Sequence, residues 1–140
     1  MKRAILSAAL AVALVAGLSA QDKPNFAGTW EMDRARSSEF AAGAPAIITV
    51  EGAKMTITRT MAGNSSSLVF MLDGTPSKNI RCEGCTPVIL TSKWEGNVLV
   101  TPIGPNRIEK YSIQEDGTLK MEITIPSRNE TGVLVFNKVK

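Results

Sequence analysis

Cys82-Glu83-Gly84-Cys85 has the spacing of a redox pair or of half a metal site. The rest of the composition removes most of that chemistry. A structural zinc site takes four sulfur or nitrogen ligands, and the chain has 2 Cys and 0 His. A thioredoxin-like dithiol places its first Cys at a helix N-terminus, whereas Asn79-Ile80-Arg81 and the run from Pro87 read as extended chain. The pattern therefore predicts a local disulfide between Cys82 and Cys85 in an oxidising compartment. Closing so short a loop stabilises by about 2 kcal/mol or less, so its role is to shape the turn. Without His the usual general base, the Ser-His-Asp triad and the commonest metal ligand are missing. Neither a Gly-rich phosphate loop nor a nucleophile motif occurs. No enzyme, cofactor or metal is expected.

A second set of chemically interesting residues sits on apolar strand faces. Side chains alternate across a strand, so Arg59 shares a face with Met55, Ile57 and Met61. A guanidinium there either anchors an acidic group, reaches out to water along its own stem, or pairs with an interior carboxylate such as Glu109. Arg107, Glu109, Tyr111 and Ile113 also share a face. Pointing inward, Glu109 and Tyr111 are polar handles for a small ligand; pointing outward, they form a solvated surface. Trp94 lies in register with Val88, Leu90 and Ser92. Arg59, Trp94, Glu109 and Tyr111 are the candidate ligand-binding residues.

The elements that must position them follow a simple plan. Met1-Lys2-Arg3, an apolar run from Ala4 to about Leu18 and then Ser19-Ala20 have the layout of a signal peptide, so residues 1–20 are expected to be cleaved and 21–140 to form one exported domain. The run is shorter than the roughly 20 apolar residues of a membrane span, and no stable membrane insertion is expected. About 120 residues remain, with 14 basic against 13 acidic side chains once Lys2 and Arg3 leave. That balance argues against nucleic acid, which needs clustered positive charge.

From Ala46 onward, runs rich in Val, Ile, Thr and Met alternate with turns at Glu51-Gly52-Ala53-Lys54, Asp73-Gly74, Glu95-Gly96-Asn97, Ile103-Gly104-Pro105-Asn106 and Asp116-Gly117. Short turns force neighbouring runs to pair antiparallel. The single helical candidate is Asp33 to Ala42, stopped by Gly43-Ala44-Pro45. The expected fold is all-β: one up-and-down meander of eight to ten strands, closed into a barrel.

On the first expected strand, Asn25-Phe26-Ala27-Gly28-Thr29-Trp30 resembles the Gly-x-Trp signature of the lipocalin and fatty-acid-binding-protein superfamily, and the layout is similar to small exported bacterial lipocalin-like proteins. Phe26, Gly28, Trp30 and Met32 share a face by parity. The resemblance implies that the Trp plugs one end of the barrel, that Gly28 allows the strand to bend, and that a basic residue on the last strand packs near the Trp. Val135-Phe136-Asn137-Lys138 nominates Lys138, so Phe26, Gly28, Trp30 and Lys138 are the expected barrel closure. The last strand departs from the fatty-acid-binding pattern, because Leu134 and Phe136 stand where an Arg-x-Tyr pair would hold a carboxylate. A buried carboxylate without a charged partner is disfavoured. The implied function is a monomeric secreted or periplasmic binder of a small, neutral or weakly polar apolar ligand. The alternative is a barrel with a filled interior, whose loops serve protein interaction or protease inhibition.

Overall fold

A computed structural model describes residues 22–39 and 46–140. The expected leader and the segment 40–45, including the end of the helical candidate, lie outside those residues. What is described of that candidate is one 3-10 turn, Arg34–Arg36, where the Asp33 side chain accepts a hydrogen bond from the Arg36 N–H at 3.3 Å.

Among the described residues eleven strands follow in chain order: β1 Gly28–Asp33, β2 Ala46–Glu51, β3 Lys54–Met61, β4 Asn64–Met71, β5 Ser77–Asn79, β6 Val88–Leu90, β7 Lys93–Glu95, β8 Val98–Pro102, β9 Ile108–Ile113, β10 Leu119–Ile125 and β11 Glu130–Lys138. Nine form one antiparallel sheet, in the order β4-β3-β2-β1-β11-β10-β9-β8-β7. The sheet curls into a half-barrel. Strands β5 and β6 pair separately with each other. The count exceeds eight to ten because the run from Val88 to Glu95 breaks at Thr91-Ser92, leaving β6 and β7 in different ladders. Ser92 is buried at that break, its hydroxyl 2.6 Å from that of Thr101 on β8.

The sheet edges β4 and β7 are joined through side chains instead of a backbone ladder. Asn79 on β5 bridges to β4: its Oδ1 accepts from the Val69 N–H at 2.7 Å, and its Nδ2 donates to the Val69 carbonyl at 3.0 Å. One amide side chain thus imitates a strand partner. The Ser77 hydroxyl donates to the same carbonyl. From β7, the Trp94 Nε1 donates to the Leu72 carbonyl at 2.8 Å, just beyond the end of β4.

Alternation within the strands produces the core. Met55 and Ile57 on β3, Ile48 and Val50 on β2, Leu119, Met121 and Ile123 on β10, and Leu134 and Phe136 on β11 all face inward and are buried. At one end the first strand closes the floor. Trp30 is 2% exposed, its Nε1 donates to the Phe26 carbonyl at 2.9 Å, and the Lys138 ammonium stands 5.4 Å from the centre of its ring. Lys138 is also its register partner across β1 and β11. Gly28 has φ +113°, and a Cβ there would come within 2.9 Å of the Lys138 Cε. The bend therefore requires a residue without a side chain.

Candidate functional site: an open, arginine-lined cup

The opposite end is open. Its cavity of about 1020 Å³ is lined by apolar Ile57, Leu68, Ile80, Val88, Ile103 and Ile125, and by the arginines Arg59, Arg81, Arg107 and Arg128. Beneath the cup the barrel is filled by Met55, Phe70, Tyr111, Met121 and Leu134, each 0–1% exposed. The interior is thus half solid and half open. Met121, Met55 and Leu90 belong to the solid half, Val88 lines the cup, and Met61 at the end of β3 is 65% exposed.

Parity on β9 places Glu109 and Tyr111 inside, both fully buried. The two side chains satisfy each other. The Tyr111 hydroxyl donates to Glu109 Oε2, while Arg107 donates through Nε to Oε1 at 2.7 Å and through a terminal nitrogen to the same oxygen. Burial pushes the Tyr111 hydroxyl pKa well above its usual value, and the charge and hydrogen bond of Glu109 add to the rise. Tyr111 is therefore a neutral donor. Its ring lies 5.8 Å from that of Phe70. Both oxygens of Glu109 are in use, so the carboxylate serves to fix Arg107, whose guanidinium faces the cup.

Arg59 sits on β3 opposite Ala46 on one side and Ser66 on the other. Its place beside Ile57 in the lining follows from alternation along the strand. Glu109, one of its possible partners by sequence, is instead taken by Arg107. Among the described residues neither Arg59 nor Arg81 has an ion-pair or hydrogen-bond partner. Arg128 is 4.0 Å from Glu130, and both are well exposed.

Trp94 does not line the cup. Its ring packs 5.4 Å from that of Phe26 and lies beneath the Lys23 ammonium, so it belongs to the closed end. It shares a face with Leu90 and Ser92, as alternation requires, but strand polarity carries the run away from the opening. The Cys82–Cys85 disulfide joins positions with Cα atoms 5.2 Å apart, in the connection between β5 and β6. Ile80, Arg81 and Val88 in or beside that connection line the cavity, which puts the staple on the rim. Among the described residues no group of three or more His, Cys, Asp or Glu could hold a metal.

Sequence reasoning singled out neither Arg81 nor Arg128 and treated Arg107 only as part of its strand face. A signal was available in the meander itself. Alternate turns of an up-and-down sheet lie at the same end, so Arg59, Arg81, Arg107 and Arg128, each beside an alternate connection, must converge there.

No family model and no curated protein sequence matches the chain. Solved structures do. The REP1-NXSQ fatty acid transporter superposes with a TM-score of 0.58 at 16% identity, over 81% of this chain and 96% of its own. The chain has the fold of the fatty-acid-binding proteins. A tyrosine-to-phenylalanine mutant of that transporter gives 0.57 at 16% identity, over 81% and 97% of the two chains. Echinococcus granulosus fatty-acid-binding protein 1 gives 0.58 at 15%, over 82% and 98%. Within this fold, Leu134 and Phe136 on the last strand are 1% and 0% exposed and pack in the solid half.

Proposed function

We propose that the chain is exported and acts as a monomeric, non-catalytic binding protein for a small, largely apolar molecule. The observation that carries this reading is the open cavity of about 1020 Å³, whose lining combines apolar side chains such as Ile57, Leu68, Val88 and Ile103 with polar arginines and serines. Ligand sites typically enclose roughly 300–1,000 Å³ and combine these two features. The solved structures that share the fold include a fatty acid transporter and a fatty-acid-binding protein, which supports the reading by analogy. No helix among the described residues is long and apolar enough to cross a membrane. A docking role for the rim has one observation in its favour: Ile80 and Ile89, on or beside the β5–β6 hairpin, are 60% and 59% exposed.

Native mass spectrometry of protein purified from its own host tests the proposal. A co-purifying small molecule that leaves on mild activation is the expected result. Protein that carries none, and that takes up no long-chain lipid added in solution, would exclude a carrier and leave the rim as the functional surface.

A further inference from the structure

The charges of the cup name a class of ligand within the reading just proposed, on which this inference rests. Four arginines reach the cavity and they are not equivalent. Arg107 is neutralised by Glu109, whose second oxygen is occupied by Tyr111. Arg128 has Glu130 at 4.0 Å. Arg59 and Arg81 line the cavity with no ion-pair or hydrogen-bond partner among the described residues.

Arg59, half-buried beside the apolar lining of the cup, loses part of its hydration, which an acidic group restores through charge-assisted, often bidentate, hydrogen bonds, and the exposed Arg81 adds a second positive charge at the rim. One carboxylate would balance one of these charges. A phosphate monoester carries about −1.5 to −2 at neutral pH and offers three acceptor oxygens, which matches two guanidinium groups together with Ser66, the register partner of Arg59. We propose that the bound molecule is an amphiphile with a doubly charged, phosphate-like head held by Arg59 and Arg81, its apolar part lying on Ile57, Leu68, Ile103 and Ile125. The last strand, where the carboxylate pair is replaced by Leu134 and Phe136, favoured a neutral ligand. On this proposal the head is anionic instead, because Arg59 on β3 and Arg81 in the β5–β6 connection reach the cup from outside the last strand.

Calorimetric titration of the whole protein with four probes below their micellar concentrations tests this: oleoyl lysophosphatidic acid, oleate, neutral monoolein and glycerol 3-phosphate. The lysophosphatidic acid is expected to bind at least about tenfold tighter than oleate, with an affinity that falls as salt rises. Arg59→Met and Arg81→Met should each weaken it about tenfold and leave monoolein binding unchanged, which also shows that the variants are folded. Equal or tighter binding of oleate or monoolein would overturn the doubly charged head while leaving the apolar-ligand reading standing. Glycerol 3-phosphate binding as tightly as its oleoyl ester would mean a site for free phosphate and overturn the amphiphile. If none of the tailed probes binds, both this inference and the proposed function fall.

Discussion

The two ends of this half-barrel are built from the same alternating strands and yet do opposite things. At the closed end, Trp30, Phe26 and Trp94 exclude water, and the Lys138 ammonium is held over the Trp30 ring. Turns at that end carry an acid before glycine: Glu51-Gly52, Asp73-Gly74, Glu95-Gly96 and Asp116-Gly117. At the open end four arginines surround a cavity that no large side chain fills. Large aromatics on short, well-registered strands make a plug, whereas long cationic side chains that lean toward water leave a void between them. The separation of charge also matters. These four turn acids stand at the far end from the arginines; at the cup, Glu109 and Glu130 pair with Arg107 and Arg128, and Glu83 lies in the β5–β6 connection beside Arg81.

Substitutions that separate the ends put this contrast at risk. Trp30→Ala should destabilise by about 3–5 kcal/mol through loss of a buried aromatic, measured by urea unfolding; a change within about 0.5 kcal/mol would mean that the plug is not part of the core. Gly28→Ala should cost about 1–3 kcal/mol because φ +113° is strained for any residue with a Cβ. The flexible Lys138 chain can move aside, so removing it in a Lys138→Ala background should recover little; full recovery would make the contact, and not the backbone, the cause. Asn79→Ala should cost about 1–2 kcal/mol and selectively speed hydrogen exchange at the Val69 amide, which loses its acceptor. An unchanged exchange rate there would show that the seam is closed by something else.

Arg59→Met should change stability by less than about 0.5 kcal/mol, in contrast to Trp30, because the guanidinium contributes no partner to the fold. A large loss would place Arg59 in the scaffold. The smallest effect concerns Asp116. Hydrogen bonds from Thr118, and then the Arg36 guanidinium, hold its carboxyl at about 2, below the ordinary 3.8. A depressed pKa contributes stability that is fully present above the unfolded value and fades as pH falls toward the folded one. The stability difference between the parent and Asp116→Asn should therefore be flat above about pH 5 and shrink between about pH 4 and pH 2. A difference that stays constant through that window in thermal melts would remove this carboxyl from the acid response.

Much of the scaffold was visible in one dimension because strand chemistry is local. The alternation of Met55, Ile57 and Arg59, the acid–Gly turns, and the Gly28-Thr29-Trp30 step each depend on neighbours a few residues away. The turn at Ala62-Gly63 carries no such mark, since Ala is a poor turn former; Ala62 nevertheless takes φ +50° there. The break at Thr91-Ser92 was equally hidden. It depends on the buried contact between Ser92 and Thr101, and neither residue disrupts a strand by itself. Tyr111 and Glu109 could be put on one face by parity, but which face is inside is decided by what packs across from them. Trp94 shows the same limit: its face follows from the sequence, its end of the barrel does not.

Sequence alone determined the all-β meander, the pairing of Cys82 with Cys85 and the aromatic first strand, because each follows from spacing within a short segment. Only the tertiary structure decided that the interior is half filled, that Arg107 and not Arg59 takes Glu109, and that four arginines from separated segments share one rim. Those outcomes rest on curvature and register summed over nine strands, which bring residues as distant as Arg59 and Arg128 to the same cavity. No local pattern in the chain encodes that distance.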